Sequence, residues 1–280
     1  MKLALVLAIL TIAKAGVIKE ETTEKPCDGV LVNGVYHEKD VIKEDLDRPY
    51  MLAIDNKTGT LYFSYSVKEN DDVFKSARIN LETKEFNDID IVNGFAQTID
   101  AANHIVYIGS NNGIYQYYPN TDTAEYFGQR GADIWAIYFK DALYFSEFPS
   151  QFLYTFINGT AVRFRDLEDT KVDHFIIDKD DDMFYTNATG LYAQKKGTKD
   201  AVLYEEFPHV GPRGVATDVN GNVYVCLRDG IFAVDKTEHS LKKAVDVHEC
   251  FGIAFDVDNN IVYADYRSIV RLKPNKEKSC

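Results

Sequence analysis

From about residue 50 onward, apolar and polar side chains alternate with a period of two in short runs, and no helical period of 3.6 is sustained. Superimposed on this alternation is a longer repeat. Six segments end an apolar run on an Asp or Lys: LAID (Asp55), QTID (Asp100), IYFK (Lys140), FIID (Asp178), VATD (Asp218) and IAFD (Asp256). The marker residues are 45, 40, 38, 40 and 38 positions apart, and each precedes an aromatic: Tyr62, Tyr107, Tyr144, Tyr185, Tyr224 and Tyr263. The fifth repeat shows the plan. Strands at 214–218, 223–226, 231–235 and 241–245 are separated by turns at 219–222, 228–230 and 236–238. Four strands per 40 residues is the pattern of propeller blades, so the chain is expected to be an all-β, six-bladed β-propeller.

The blades read as 49–90, 94–128, 132–167, 172–207, 212–247 and 250–280. The sixth supplies only three clear strands. An N-terminal strand within Gly29–Val32 or Val35–His37 is expected to complete that last blade and so cover an open sheet edge.

Upstream, the apolar run Leu3–Ala13 behind Lys2 and the Ala13-Lys14-Ala15 triplet have the layout of a secretory signal peptide, residues 1–15. The run is too short to span a bilayer, which takes about 17 or more apolar residues. Residues 16–26 read as a polar tail and 27–280 as a single domain. The net charge of −13 becomes −15 without Lys2 and Lys14, which disfavours nucleic acid and anionic membranes as partners. In a secreted chain four cysteines are expected to pair. Cys27 with Cys280 would tie the ends of the ring and Cys226 with Cys250 would link repeats five and six, the alternative being a buried free thiol at Cys226 or Cys250. Sequons at Asn56, Asn158 and Asn187 fall in predicted turns open to glycosylation.

The position five residues before each marker begins the innermost strand. It holds Tyr50, Phe95, Trp135, Asp173, Arg213 and Phe251, including the sole tryptophan. Equivalent positions converge on a propeller's axis, so flat aromatic faces beside an arginine suit a planar, anionic ligand, with Gln97 and His174 nearby. The competing expectation is packing between blades, because these positions share strand parity with apolar columns such as Leu52/Ile54 and Ile137/Phe139. The acidic turns beginning at Asp178, Asp218 and Asp256 echo a calcium loop but lack its sixth-position Gly and closing Glu, and Asp, Asn and Gly are also what hairpin turns prefer. No nucleophile-elbow, zincin, phosphate-loop or dinucleotide motif occurs. Propeller lactonases of the regucalcin type hold a divalent cation on the axis, where this chain offers mostly aromatic or apolar residues.

The stretch Cys27–Glu38 (CDGVLVNGVYHE), Pro49-Tyr50 followed by Leu52–Asp55, and Leu61–Ser66 (LYFSYS) resemble the insect, lepidopteran ommochrome-binding proteins, and length and cysteine placement agree. The resemblance implies a haemolymph protein that carries an ommochrome pigment such as ommatin D, a planar phenoxazinone with acidic substituents. It brings no site residues of its own. The expectation is therefore a secreted, monomeric pigment carrier without chemistry, catalytic residues, metal or cofactor. Its rivals are a metal-dependent lactonase or esterase using Asp133 and Asp173, and a protein-interaction propeller.

Overall fold

The structure is a computed structural model that describes residues 28–67, 73–207 and 211–279. The expected signal peptide, the polar tail and both cysteines of the expected Cys27–Cys280 bond lie outside the described residues. Within them the chain is β throughout, apart from one 3-10 turn at Arg165–Leu167. No helix there is long and apolar enough to cross a membrane.

A hairpin of β1 (Val30–Val32) and β2 (Val35–Lys43) opens the fold. Its two-residue turn is Asn33-Gly34, both with positive φ (48° and 81°), the conformation a type I′ hairpin requires. Four four-stranded antiparallel sheets follow in chain order. The first contains β3 (Tyr50–Asp55), β4 (Thr60–Ser66), β5 (Phe74–Asn80) and β6 (Phe86–Val92). The second contains β7 (Gly94–Asp100), β8 (Ile105–Ser110), β9 (Gly113–Tyr118) and β10 (Thr123–Gly128). The third contains β11 (Asp133–Phe139), β12 (Leu143–Phe148), β13 (Leu153–Ile157) and β14 (Thr160–Arg163). The fourth contains β15 (His174–Ile177), β16 (Asp182–Thr186), β17 (Gly190–Lys195) and β18 (Ala201–Glu206).

The remaining strands are β19 (Gly214–Thr217), β20 (Val223–Leu227), β21 (Gly230–Asp235), β22 (Ser240–Val245), β23 (Gly252–Phe255), β24 (Ile261–Ala264) and β25 (Ile269–Pro274). They join through the N-terminal hairpin into one nine-stranded sheet, in which β2 pairs along β25 and β1 touches β22 at Val32↔Val245. The outer strand beside β25 is thus Val35–Lys43, the second of the two segments expected to fill that place. Arg271 on β25, only 4% exposed, fastens the arrangement. Its guanidinium donates to Asp40 on β2 at 2.7 Å and to Glu82 after β5 at 2.6 Å. Partial burial alone would raise the Asp40 carboxyl, but donors from Lys84, Arg271 and Lys273 outweigh it and hold its pKa at about 2.

The first strands β3, β7, β11, β15, β19 and β23 pack each on the next, and β23 packs back on β3. Six hydrophobic clusters fill the gaps around the ring, five between neighbouring sheets and one between the β19–β22 and β23–β25 arms of the nine-stranded sheet. In one, Leu61, Phe63 and Ile79 of the first sheet meet Phe251, Val262 and Ile269. Burying each such side chain is worth roughly 1.5–3 kcal/mol, so the inter-sheet faces carry most of the cohesion. At one junction only glycine fits. A Cβ on Gly109 would lie 2.4 Å from Cγ2 of Ile134.

The repeating aspartate is a turn staple. Asp55, Asp100, Asp178, Asp218 and Asp256 are all buried at the ends of first strands. Their Oδ1 atoms accept N–H groups from the turn that follows, as in Asn220 and Asn222 to Asp218 at 2.9 and 2.8 Å. Without that acceptor the tight turn would leave buried amides unpaired, which explains the choice of Asp or Asn over other polar residues. Lys140 breaks the rule and reaches across to the Asp178 carbonyl at 2.6 Å.

Candidate ligand-binding site

At the end of the ring where the first strands begin, three of them carry an extra residue. In β7 Gly94 pairs with Ser110 and Ala96 with Gly109, which leaves Phe95 unmatched. In β11 Ile134 pairs with Glu147 and Ala136 with Ser146, which leaves Trp135 unmatched. In β3 the register shifts between Tyr50 and Ala53, with Met51 at φ 51°. A β-bulge interrupts the two-residue alternation and re-aims side chains. The parity shared with the apolar columns therefore does not govern Phe95 and Trp135. β15, β19 and β23 run in regular register from their first residue.

The bulged residues wall a cup of about 500 Å³, lined among others by Tyr50, Phe74, Phe95, Trp135 and Phe148. Their rings form a continuous series, with centroids 5.9 Å apart for Tyr50–Phe95, 5.4 Å for Phe95–Trp135 and 5.9 Å for Trp135–Phe148. Phe74 closes on Phe95 at 4.7 Å. The opposite wall is His174, Pro212 and Arg213. Below the cup a narrower channel of about 270 Å³ runs between the first strands.

Two expected site residues, the ring position Phe251 and the nearby Gln97, fall elsewhere. Phe251, 6% exposed, belongs to the core between the last and first sheets and meets the site from behind, through Tyr50, whose ring centroid lies 5.5 Å away, and through Arg213, whose guanidinium carbon lies 3.9 Å from its ring centroid. Gln97, also 6% exposed, faces the channel. Its amide N–H groups donate to the carbonyls of Met51 and Tyr50, and among the described residues its Oε1 has no partner. The indole N–H of Trp135 is likewise unpartnered. Asp173 is half-buried, accepts the Gln151 amide, and loss of hydration raises its pKa. Phe74, Asn93 and Phe148 are cup residues that counting from the markers missed.

Arg213 was expected as an anion clamp, but its charge is already shared. Nη1 donates to Glu249 at 3.0 Å, and Arg228 holds the other oxygen of that carboxylate at 2.6 Å. The Cys226–Cys250 disulfide, Cα–Cα 5.7 Å, braces the same wall, since the Arg213 amide donates to the Cys226 carbonyl at 3.0 Å. This settles the second expected pairing against a free thiol at either position. His174 carries no charge near neutrality. Burial lowers its pKa to about 4, against a weaker opposing hydrogen bond to Pro212 O at 3.1 Å.

The calcium-loop reading also meets its structural answer. Among the described residues the one group of three acidic side chains close enough to share an ion is Asp178, Asp180 and Asp182, at the far end of β15 from the cup. Lys236 of the next sheet inserts its ammonium there, 2.8, 2.9 and 2.5 Å from the three carboxylates. These outweigh partial burial and keep the lysine protonated well above its usual range.

No protein-family model matches the chain. An ommochrome-binding protein of Manduca sexta is 30% identical over 254 residues, spanning 88% of this chain and 91% of that protein. The chain belongs to the ommochrome-binding protein family. Among solved structures, a gluconolactonase from Xanthomonas campestris superposes with a TM-score of 0.71 at 14% identity, covering 89% of this chain and 96% of that one. The WD40 propeller domain of Doa1 superposes at 0.59 with 10% identity over 89% and 98%. A streptogramin B lyase gives 0.57 at 11% identity over 86% and 98%. At these identities the likeness is one of fold, and the fold of this ommochrome-binding family member is propeller-like.

Proposed function

We propose that the protein is a secreted six-bladed propeller, a single domain from residue 27 to 280, that binds an ommochrome pigment in the aromatic cup and performs no chemistry on it. The observation that carries this reading is the pair of bulges that turn Phe95 and Trp135 out of strand alternation and into one cavity with Tyr50. Stacked aromatic faces favour a flat ring system, and each ring adds about 0.5–1.5 kcal/mol beyond its buried area. A cup of about 500 Å³ falls within the roughly 300–1,000 Å³ typical of small-molecule sites. His174 and Arg213 give one wall polar character and orient the ligand's substituents. The relative from Manduca sexta supports pigment as the ligand class. The ring of first strands with its six intervening clusters supports the blade count, and the Cys226–Cys250 disulfide supports an oxidising, extracellular location. Asn56 and Asn158 are exposed and Asn187 half-exposed, each at a hairpin turn, so glycans there would leave the cup free.

The lactonase reading has less support at this site. Asp133 and Asp173 are not joined by a third His, Asp or Glu within ion-sharing distance among the described residues. Trp135 is the only tryptophan, so tryptophan emission, excited apart from the 18 tyrosines, reports on the cup. Titration with ommatin is expected to quench that fluorescence and to carry a visible absorption band with the protein through gel filtration. An unquenched, colourless protein that hydrolyses small lactones in a chelator-sensitive way would overturn the carrier in favour of the enzyme.

A further inference from the structure

The cup's charges do not describe a plain anion site. Its one arginine donates to Glu249, a carboxylate that it shares with Arg228. One carboxylate in the cup stands apart from that group. Asp133, the first residue of β11, lines the cup two positions before Trp135 and opposite Phe148 in the ladder. Among the described residues its carboxylate makes no hydrogen bond or ion pair, and its side chain reaches solvent at the rim. Partial loss of hydration there raises its pKa above the ordinary aspartate value. An unpaired carboxylate in an aromatic cup is an unfavourable surface for a purely acidic ligand, since like charges repel across a low-dielectric wall. It is favourable for a protonated amine, which gains a charge-assisted hydrogen bond to the carboxylate and lies against the negative faces of the neighbouring rings.

We propose that Asp133 is an ammonium subsite, so that the preferred ligand is a planar aromatic bearing a free amino-acid head, its amine on Asp133. The inference rests on the pigment-cup reading and sharpens it. The ring system supplies affinity by stacking on Phe95 and Trp135, while Asp133 discriminates between a free and a blocked amine.

The test compares one pigment in two forms, an ommatin carrying a free amino-acid side chain and the same ommatin after α-N-acetylation. Both are titrated against wild type and Asp133→Asn by quenching of Trp135. A charge-assisted hydrogen bond at a partly solvated site corresponds to about tenfold in affinity. Wild type should bind the free-amine form about tenfold more tightly. Asp133→Asn should lose that preference while binding the acetylated form within about twofold of wild type. Equal weakening of both forms would make Asp133 a structural residue, and equal affinity of wild type for both would remove the amine preference. Either result overturns the subsite and leaves the cup standing. Absence of quenching by either form in either protein would overturn the cup reading and the subsite together.

Discussion

The two halves of the cup are built from the same repeat by different means. On one side β3, β7 and β11 each spend an additional residue at the mouth, and the cup wall there is a row of rings with few polar contacts. On the other, β15, β19 and β23 start in regular register, and the residues just before them are fixed by polar and covalent ties: Asp173 to Gln151, Arg213 to Glu249, Cys250 to Cys226. The difference shows how a duplicated strand acquires a site. Insertion of one residue converts an inter-sheet packing position into a ligand-facing one without disturbing the turn staple at the strand's other end. Where no residue is inserted, the wall must be held by ion pairs, and those ion pairs consume the charge a ligand would otherwise use.

The sharpest way to break the comparison is to empty the bulged half. Phe95 touches three other rings of the cup, at 4.7, 5.4 and 5.9 Å. Stacking of a flat ring on an aromatic side chain is worth roughly 1–3 kcal/mol, so Phe95→Ala should weaken pigment binding by about tenfold to a hundredfold. Trp135 remains as the fluorescent reporter. An unchanged dissociation constant would return Phe95 to inter-sheet packing.

A second variant separates the cup from the opposite end of the ring. Lys236→Met removes the ammonium from Asp178, which is buried to 2% exposure. Breaking a buried pair leaves an uncompensated charge, discounted here because the lysine side chain is 37% exposed, and the expected cost is about 2 kcal/mol in chemical denaturation. Pigment affinity should stay the same. The wild-type contribution has an acid limit. Asp182 titrates below its ordinary value because the two lysines overcome its partial burial, so the stabilisation is complete above about pH 4 and fades as pH falls below it.

The unbulged half makes its own pH prediction. His174 has a pKa of about 4 in the fold against 6.5 when free, so the unfolded chain binds the extra proton between those values. Its contribution is therefore complete above about pH 6.5 and declines as pH falls toward 4. The shift taken whole would make this about 3 kcal/mol, and because the side chain is only half-buried the expected value is about 2. His174→Gln should flatten the difference between stabilities measured at pH 7 and pH 4.5. An unchanged slope would place the ring in contact with bulk solvent.

Much of this was legible in the chain. The aspartate marker and the alternation behind it encode the sheets because the turn needs a short acceptor and each strand has a buried face. Counting back from those markers reaches Tyr50, Phe95, Trp135 and Arg213 of the cup, although the inner strands begin between four and seven residues before their markers. What counting could not supply is direction. A bulge adds one residue without altering composition, so the count alone leaves Phe95 and Trp135 open between a ligand on the axis and packing between blades, while Phe251, at the same count, is core. Phe74 and Phe148 enter the cup from β5 and β12, strands whose relation to the axis is set by sheet twist. Glu249 and Lys236 act on residues 36 and 58 positions away, partners that no local pattern in the chain announces.

The smallest expected effect tests how far the polar wall's own ties have spent its arginine. Arg213 stacks on Phe251 and shares Glu249 with Arg228, so much of its interaction capacity is already committed. Arg213→Lys keeps the charge but loses the planar fork and the ring stacking, a change worth about 0.5–1 kcal/mol at a partly exposed site. Pigment affinity measured by quenching should then fall only about threefold, well short of the loss at Phe95. A loss equal to or larger than that of Phe95→Ala would reverse the order of the two walls. Arg213 would then be the principal anchor, and Glu249 would have to release it when the ligand enters.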